Sequence, residues 1–183
     1  MEKPPPSLRT RLIDAARTFV VAASKLDGVR GISLVGSIVT DKPEPKDIDL
    51  LVRVADDLDL SVLARLGRQL KGACQQFNHS ADVFLCDEAG TYLGRTCKWR
   101  RCQPGIRVSC EALHCGRRQY LYDDLGVIRL APSLVAAPPV ELFPAIVRRR
   151  KLPRDVEWLI GEVEAARMNG ASGPARHSPG SQE

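Results

Sequence analysis

Apolar residues recur at three- and four-residue steps through the segment from Ser7 to Leu26, at Leu8, Leu12, Ala15, Ala16, Phe19, Val20, Ala23 and Leu26. That stripe predicts an amphipathic helix, with Ser7 as its cap behind a proline-rich lead. The runs Gly31–Ser37 and Ile48–Val54 are short, rich in β-branched residues and bounded by Gly, Pro or Asp, which predicts two strands. Leu60, Leu63, Leu66, Leu70 and Ala73 return to helical spacing and predict a second helix over about 59–77, followed by a strand from Ala81 to Cys86. Helix, strand, strand, helix, strand is the order of a small α/β or α+β layer.

The pattern then breaks. From Arg95 to Arg118 the chain is cysteine, arginine and turn residues, too polar to order itself by burial. Tyr120 to Leu130 regains strand character, Pro132 to Pro144 reads as an irregular connector, and Arg154 to Met168 carries helical spacing through Val156, Leu159, Ile160 and Val163. The expected organisation is a core over residues 7–90, a cysteine-rich basic segment with a C-terminal helix packed on that core over 91–168, and a flexible Gly/Ser/Pro-rich tail over 169–183.

Composition adds a charge asymmetry. The 183 residues carry a formal net charge of +5, but residues 1–90 hold 12 Lys+Arg against 13 Asp+Glu, whereas 91–183 hold 15 against 9. The basic excess belongs to the cysteine-containing half, where it suits an anionic partner. The first residues lack a signal-peptide apolar core, and the longest apolar stretch, Ile128 to Val147, is interrupted by Arg129, Glu141 and four prolines. A soluble, cytoplasmic chain with no membrane partner is therefore expected.

Asp47 and Asp49 lie two apart on a predicted strand, so their side chains leave the same face while Ile48 and Leu50 leave the other. Two acids that close repel unless a cation lies between them, and a hard divalent ion such as Mg²⁺ or Mn²⁺ is a natural one. The plain alternative for Asp-x-Asp alone is a solvated strand start. Context favours the metal. Gly36-Ser37 ends the preceding strand in a turn where small residues let backbone amides and a hydroxyl approach a phosphate, and Asp82 interrupts an otherwise apolar strand.

Gly36-Ser37, nine residues, Asp47-Ile48-Asp49-Leu50 and a later strand acid at Asp82 resemble the signature of the nucleotidyltransferase superfamily that includes DNA polymerase beta, and most of all its minimal nucleotidyltransferase branch. The resemblance covers about residues 7–90. It implies a small mixed β-sheet flanked by helices, with Gly36 and Ser37 near the phosphates of an NTP, Asp47 and Asp49 as Mg²⁺ ligands, and Asp82 as third metal carboxylate and acceptor of the hydroxyl proton. It also implies transfer of a nucleoside monophosphate from an NTP to a hydroxyl of RNA, protein or a small molecule. Lys42, Lys46 and Arg53 are nearby cations that could offset phosphate charge, but each reads first as an ordinary exposed position.

Cys97, Cys102, Cys110 and Cys115 form C-x4-C, seven residues, then C-x4-C, with Pro104-Gly105 turning the central loop. Four thiolates suit a closed structural Zn²⁺ site, a zinc-knuckle-like segment whose metal would order a stretch that burial cannot. Reduced thiols or a redox disulfide are the alternatives, and His114 is a candidate replacement ligand. No His-x-Glu precedes a Pro-Cys-x-x-Cys, which argues against a zinc deaminase. Cys74 and Cys86 read as core thiols. Around the four cysteines, Arg95, Lys98, Arg100, Arg101, Arg107, Arg117 and Arg118 interleave with Trp99, Tyr120 and Tyr122. Cations with aromatics fit a nucleic-acid acceptor surface as well as a solvated basic face. Arg148 to Lys151 form a second basic run. A catalytically inactive, zinc-stabilised nucleic-acid-binding or antitoxin-like module is the alternative function.

Overall fold

A computed structural model describes residues 7–107, 110, 115, 117–123, 126 and 128–171. The tail beyond 171 and His114 lie outside the described residues. Helix α1, Leu8–Ala23, begins at Ser7, whose hydroxyl accepts the Thr10 amide as an N-cap, and buries Leu12, Ile13, Ala16, Phe19 and Val20. Strand β1, Val29–Val35, pairs antiparallel with β2, Asp47–Val54. Helix α2, Leu60–Gln75, starts at Asp59, which accepts from the Ser61 amide. It leads to β3, Ser80–Cys86, which lies parallel to β2 as a crossover helix permits.

Two strands from the cysteine-containing half extend that side. β4, Tyr92–Thr96, pairs antiparallel with β3, and β5, Leu121–Tyr122, with β4. The segment from Pro132 to Pro144, expected to be an irregular connector, instead contains a short helix α3, Pro132–Ala136, and strand β6, Val140–Phe143, which pairs antiparallel with β1. The prolines lie beside the strand rather than inside it. A two-residue strand β7, Val147–Arg148, closes that edge, and helix α4, Arg154–Ala171, follows. The chain is thus a mixed α+β protein with one seven-stranded sheet in the order β5-β4-β3-β2-β1-β6-β7. Among the described residues it has four α-helices, and no helix is long and apolar enough to cross a membrane.

Period-two alternation divides the sheet into two faces. Ile48, Leu50 and Val52 of β2 and Ala81, Val83 and Leu85 of β3 enter the main core with α1, α2 and α4. On the other face Val35, Leu51, Phe84, Cys86 and Tyr92 form a smaller cluster with Val135 of α3. Asp47 and Asp49 alternate with the first set on β2, and Asp82 on β3. The main core therefore backs the carboxylates from behind, and Ile48 and Leu50 beneath them are fully buried.

Candidate active site

The register of the sheet assembles the acids. Asp49 is the direct partner of Asp82 across the parallel β2/β3 pair, Asp47 stands opposite Ser80, and Val35 at the end of β1 stands opposite Asp49. Gly36 then turns the chain at φ 76° and Ser37 opens a 3-10 turn, Ser37–Val39, with Thr40 donating from both its amide and its hydroxyl to the Ser37 carbonyl. A Cβ at Gly36 would collide with Asp49 Oδ2. Both the positive φ and this close approach require glycine there. The Ser37 hydroxyl is buried beside the turn and has no hydrogen-bond partner among the described residues.

The electrostatics are uneven across the three acids. Burial, reinforced by Asp47 and then Asp82 and opposed by Arg95, pushes the Asp49 carboxyl up to about 7. Asp82 has counter-cations: Arg95 donates to its Oδ1 at 3.0 Å, and Lys71 Nζ of α2 lies 3.9 Å from the same oxygen. Arg95 stands over the ring of Tyr122, its register partner on β5, at 5.7 Å.

Hard carboxylate oxygens are the right donors for Mg²⁺, and the glycine cradle and the unpartnered Ser37 hydroxyl leave the turn side of Asp49 suited to a charged ligand. Among the described residues, however, no three His, Cys, Asp or Glu side chains are arranged to hold a metal ion. Mg²⁺ is commonly bound by one or two carboxylates with the remaining positions filled by water and substrate phosphate. Asp47 and Asp49, on one face of one strand, meet that smaller requirement, while Asp82 is turned toward Arg95 and Lys71.

Of the nearby cations, Arg53 is the register partner of Cys86 and opposes the rise that burial causes in its thiol, and Lys42 and Lys46 are exposed. Arg9 carried no spacing signal and was not among the expected site residues. Its guanidinium donates to the carbonyls of Ile38 and Lys42, each at 2.7 Å, and grips Asp155 of α4 through two bonds at 2.7 and 3.1 Å. One α1 side chain therefore ties the Ser37 turn to the start of the last helix. An arginine on the polar side of an amphipathic stripe carries no spacing signal that distinguishes it from a solvated one.

The four cysteines converge. All are free thiols, Cys97, Cys110 and Cys115 are buried, and Cys102 is partly so. Burial raises the Cys97 thiol, opposed by the Trp99 amide, with Cys110 and Cys102 adding to the rise. Cys115 is pushed up to about 11 by burial first and then by the other three thiols. Backbone amides donate to sulfur at two places, Trp99 to Cys97 and Tyr120 to Cys102, both at 3.4 Å. Four thiols in one segment, two of them already accepting amide protons, have the donor chemistry of a zinc site. They are not drawn into ligating distance as they stand.

Two arginines bind this segment to the rest of the molecule. Arg68 of α2 donates to the carbonyls of Cys97 and Trp99 at 3.3 and 2.8 Å, and Arg118 donates to those of Ala55 and Leu58 at 2.8 and 2.6 Å. Trp99 is flanked by Arg107 at 4.4 Å and Lys98 at 5.4 Å from the ring centre. Cys74 and Cys86 are fully buried, as expected of core thiols. In comparison with known proteins, no family model, no curated protein and no solved structure matches the chain.

Proposed function

We propose that the protein is a metal-dependent nucleotidyltransferase that moves a nucleoside monophosphate from an NTP to a hydroxyl acceptor and releases pyrophosphate. One observation carries the reading: Asp49 lies between Asp82, its register partner, and the Gly36–Ser37 turn, with Asp47 on the same strand face. Asp47 and Asp49 would hold Mg²⁺ or Mn²⁺, with Asp82 joining them if it leaves its cations. The metal, when bound, neutralises phosphate charge and favours the ionised form of the attacking hydroxyl. Gly36 lets the Asp49 carboxylate sit against the turn, and the buried Ser37 hydroxyl would donate to a phosphate oxygen.

Asp82 would accept the acceptor's proton. The acceptor oxygen then bonds to the α-phosphorus, the bond from that phosphorus to the bridging oxygen breaks, and pyrophosphate leaves with the electron pair. In this reading structural Zn²⁺ at Cys97, Cys102, Cys110 and Cys115 completes the segment beyond β4. The alternative, a catalytically inactive nucleic-acid-binding or antitoxin-like module, draws on the pairing of Asp82 with Arg95 and Lys71, which neutralises that acid without a metal.

The test is incubation with each α-labelled NTP, Mg²⁺ or Mn²⁺, and separate pools of RNA, protein and small metabolites, beside an Asp47→Asn/Asp49→Asn double variant. Label should pass to one pool, with a loss of at least about 100-fold in the variant. Absence of transfer to every pool, or equal transfer by the variant, sinks the enzyme and leaves the inactive module.

A further inference from the structure

A cavity of about 170 Å³ opens where β3 runs past the end of β4, on the far side of Asp82 from the Gly36–Ser37 turn. Its walls include Arg68 and Lys71 from α2, Arg95 from β4 and Lys98 just beyond it, with Tyr122 from β5 and Asp82 itself. Among the described residues that line it, four cations face one carboxylate. Arg68 and Lys71 are three residues apart on one helix, so both project to the same side. The hydrogen bonds of Arg68 go to neutral carbonyls, which orient its charge without cancelling it, and Lys71 reaches Asp82 only at 3.9 Å. A concave site with this excess of positive charge attracts an anion.

The size of the cavity narrows the choice of anion. Pockets that enclose a whole small molecule run from roughly 300 Å³ upward, so this one takes a single group, such as a phosphate, on something larger. Lys98 connects it to the surface around Trp99, where Lys98 and Arg107 flank the indole. A ring between cations is a platform on which an unpaired base stacks while its backbone is neutralised.

We infer that this cavity is the phosphate subsite of a single-stranded nucleic-acid acceptor, whose terminal hydroxyl reaches Asp82 while the adjoining strand runs over Trp99. The inference rests on the nucleotidyltransferase reading and gives it a direction. The sheet order β1-β2-β3-β4 sets the Ser37 turn, Asp47 with Asp49, Asp82, and the cavity in sequence across the sheet. Donor phosphates would enter from the β1 side and the acceptor from the β4 side.

Fluorescence anisotropy of the full chain with labelled, unstructured 12-nucleotide RNA and DNA tests this, at two salt concentrations. Lys71→Glu and Lys98→Glu should each weaken binding by on the order of tenfold or more and flatten the salt dependence. Arg150→Glu, an exposed cation beyond β7 at the opposite edge of the sheet, should change binding by less than about twofold. Circular dichroism checks that each variant is folded, and Lys98 is exposed enough that its substitution does not disturb the core.

The Asp47→Asn/Asp49→Asn protein should bind the oligonucleotide undiminished but transfer nothing to it. Failure of either oligonucleotide to bind, or equal weakening by Arg150→Glu, overturns the subsite. If label then passes to protein or a metabolite, the proposed reaction survives without it. Oligonucleotide binding that depends on Lys71 and Lys98, with no transfer to any acceptor from any NTP, overturns the acceptor role together with the enzyme.

Discussion

Strands β1–β3 and the cysteine segment between β4 and β5 are ordered by opposite means. Around β2, order comes from side chains such as Ile48, Leu50, Val83 and Leu85 that leave water completely or nearly so. Between β4 and β5, Arg68 reaches in from α2 to the carbonyls of Cys97 and Trp99, Arg118 reaches out to those of Ala55 and Leu58, and thiols take the place of a core. Burial is non-directional and tolerates many sequences. Polar ties are directional, so the second region depends on a few residues at particular positions. A site that joins the two takes its rigid acids from one and its cations from the other.

The largest expected effect tests the second region. The protein purified under reducing conditions should carry one zinc per chain, and a chelator or Cys97→Ser should expose residues 97–120 to protease at least about tenfold faster. Hydrogen exchange in β1–β3 should change little, since a structural zinc site supplies folding energy where it is bound. Protein that contains no zinc and is unchanged by adding it would leave polar ties, from the arginines and from amides to sulfur, in place of a metal, and the contrast between the regions would widen.

Next in size is Leu50→Ala beneath the carboxylates, which should cost about 2–5 kcal/mol in urea unfolding. The loss should appear in the whole transition. A loss confined to the cysteine segment would break the comparison.

The smallest effect concerns Asp49, where the first region is strained by its own burial. A folded carboxyl near 7, against about 3.9 in the unfolded chain, keeps its proton in the native state over a range where the unfolded state has released it. Stability from this group is therefore full below about pH 4, falls as pH rises toward 7, and levels off above that. Asp49→Asn removes the fall. The variant should match the wild type near pH 4 and exceed it by about 1–3 kcal/mol at pH 8 without divalent metal, as read from urea midpoints. A constant difference at both pH values would show that Asp49 ionises freely and that its burial has no electrostatic consequence.

What the sequence made legible follows the same division. α1 with its Ser7 cap, β1, β2, α2 behind Asp59, β3 and α4 lie within a few residues of their expected positions, because each carries its own periodicity and its own boundary. β4 was hidden because Gly94, at φ 133°, interrupts a five-residue strand, and its glycine is needed where the Tyr122 backbone passes close by. β6 was hidden by flanking prolines, and it is the open edge of β1 that makes Val140–Phe143 a strand. At the candidate site, the Gly-Ser turn and the three acids were visible as a spacing. The partners of Asp82 were not, since Lys71 comes from α2 and Arg95 from β4, and only the packing of α2 and the pairing of β4 with β3 bring them to it.

The contact between Arg9 and Asp155 spans 146 positions of the chain. A ribosome releases α1, the Ser37 turn and all seven strands before it releases Asp155, so a growing chain can pair its sheet while Arg9 still lacks its carboxylate. The turn beside Asp49 thus receives this tie only after the described strands have all emerged, and α1 waits on α4 to fix the loop that follows β1.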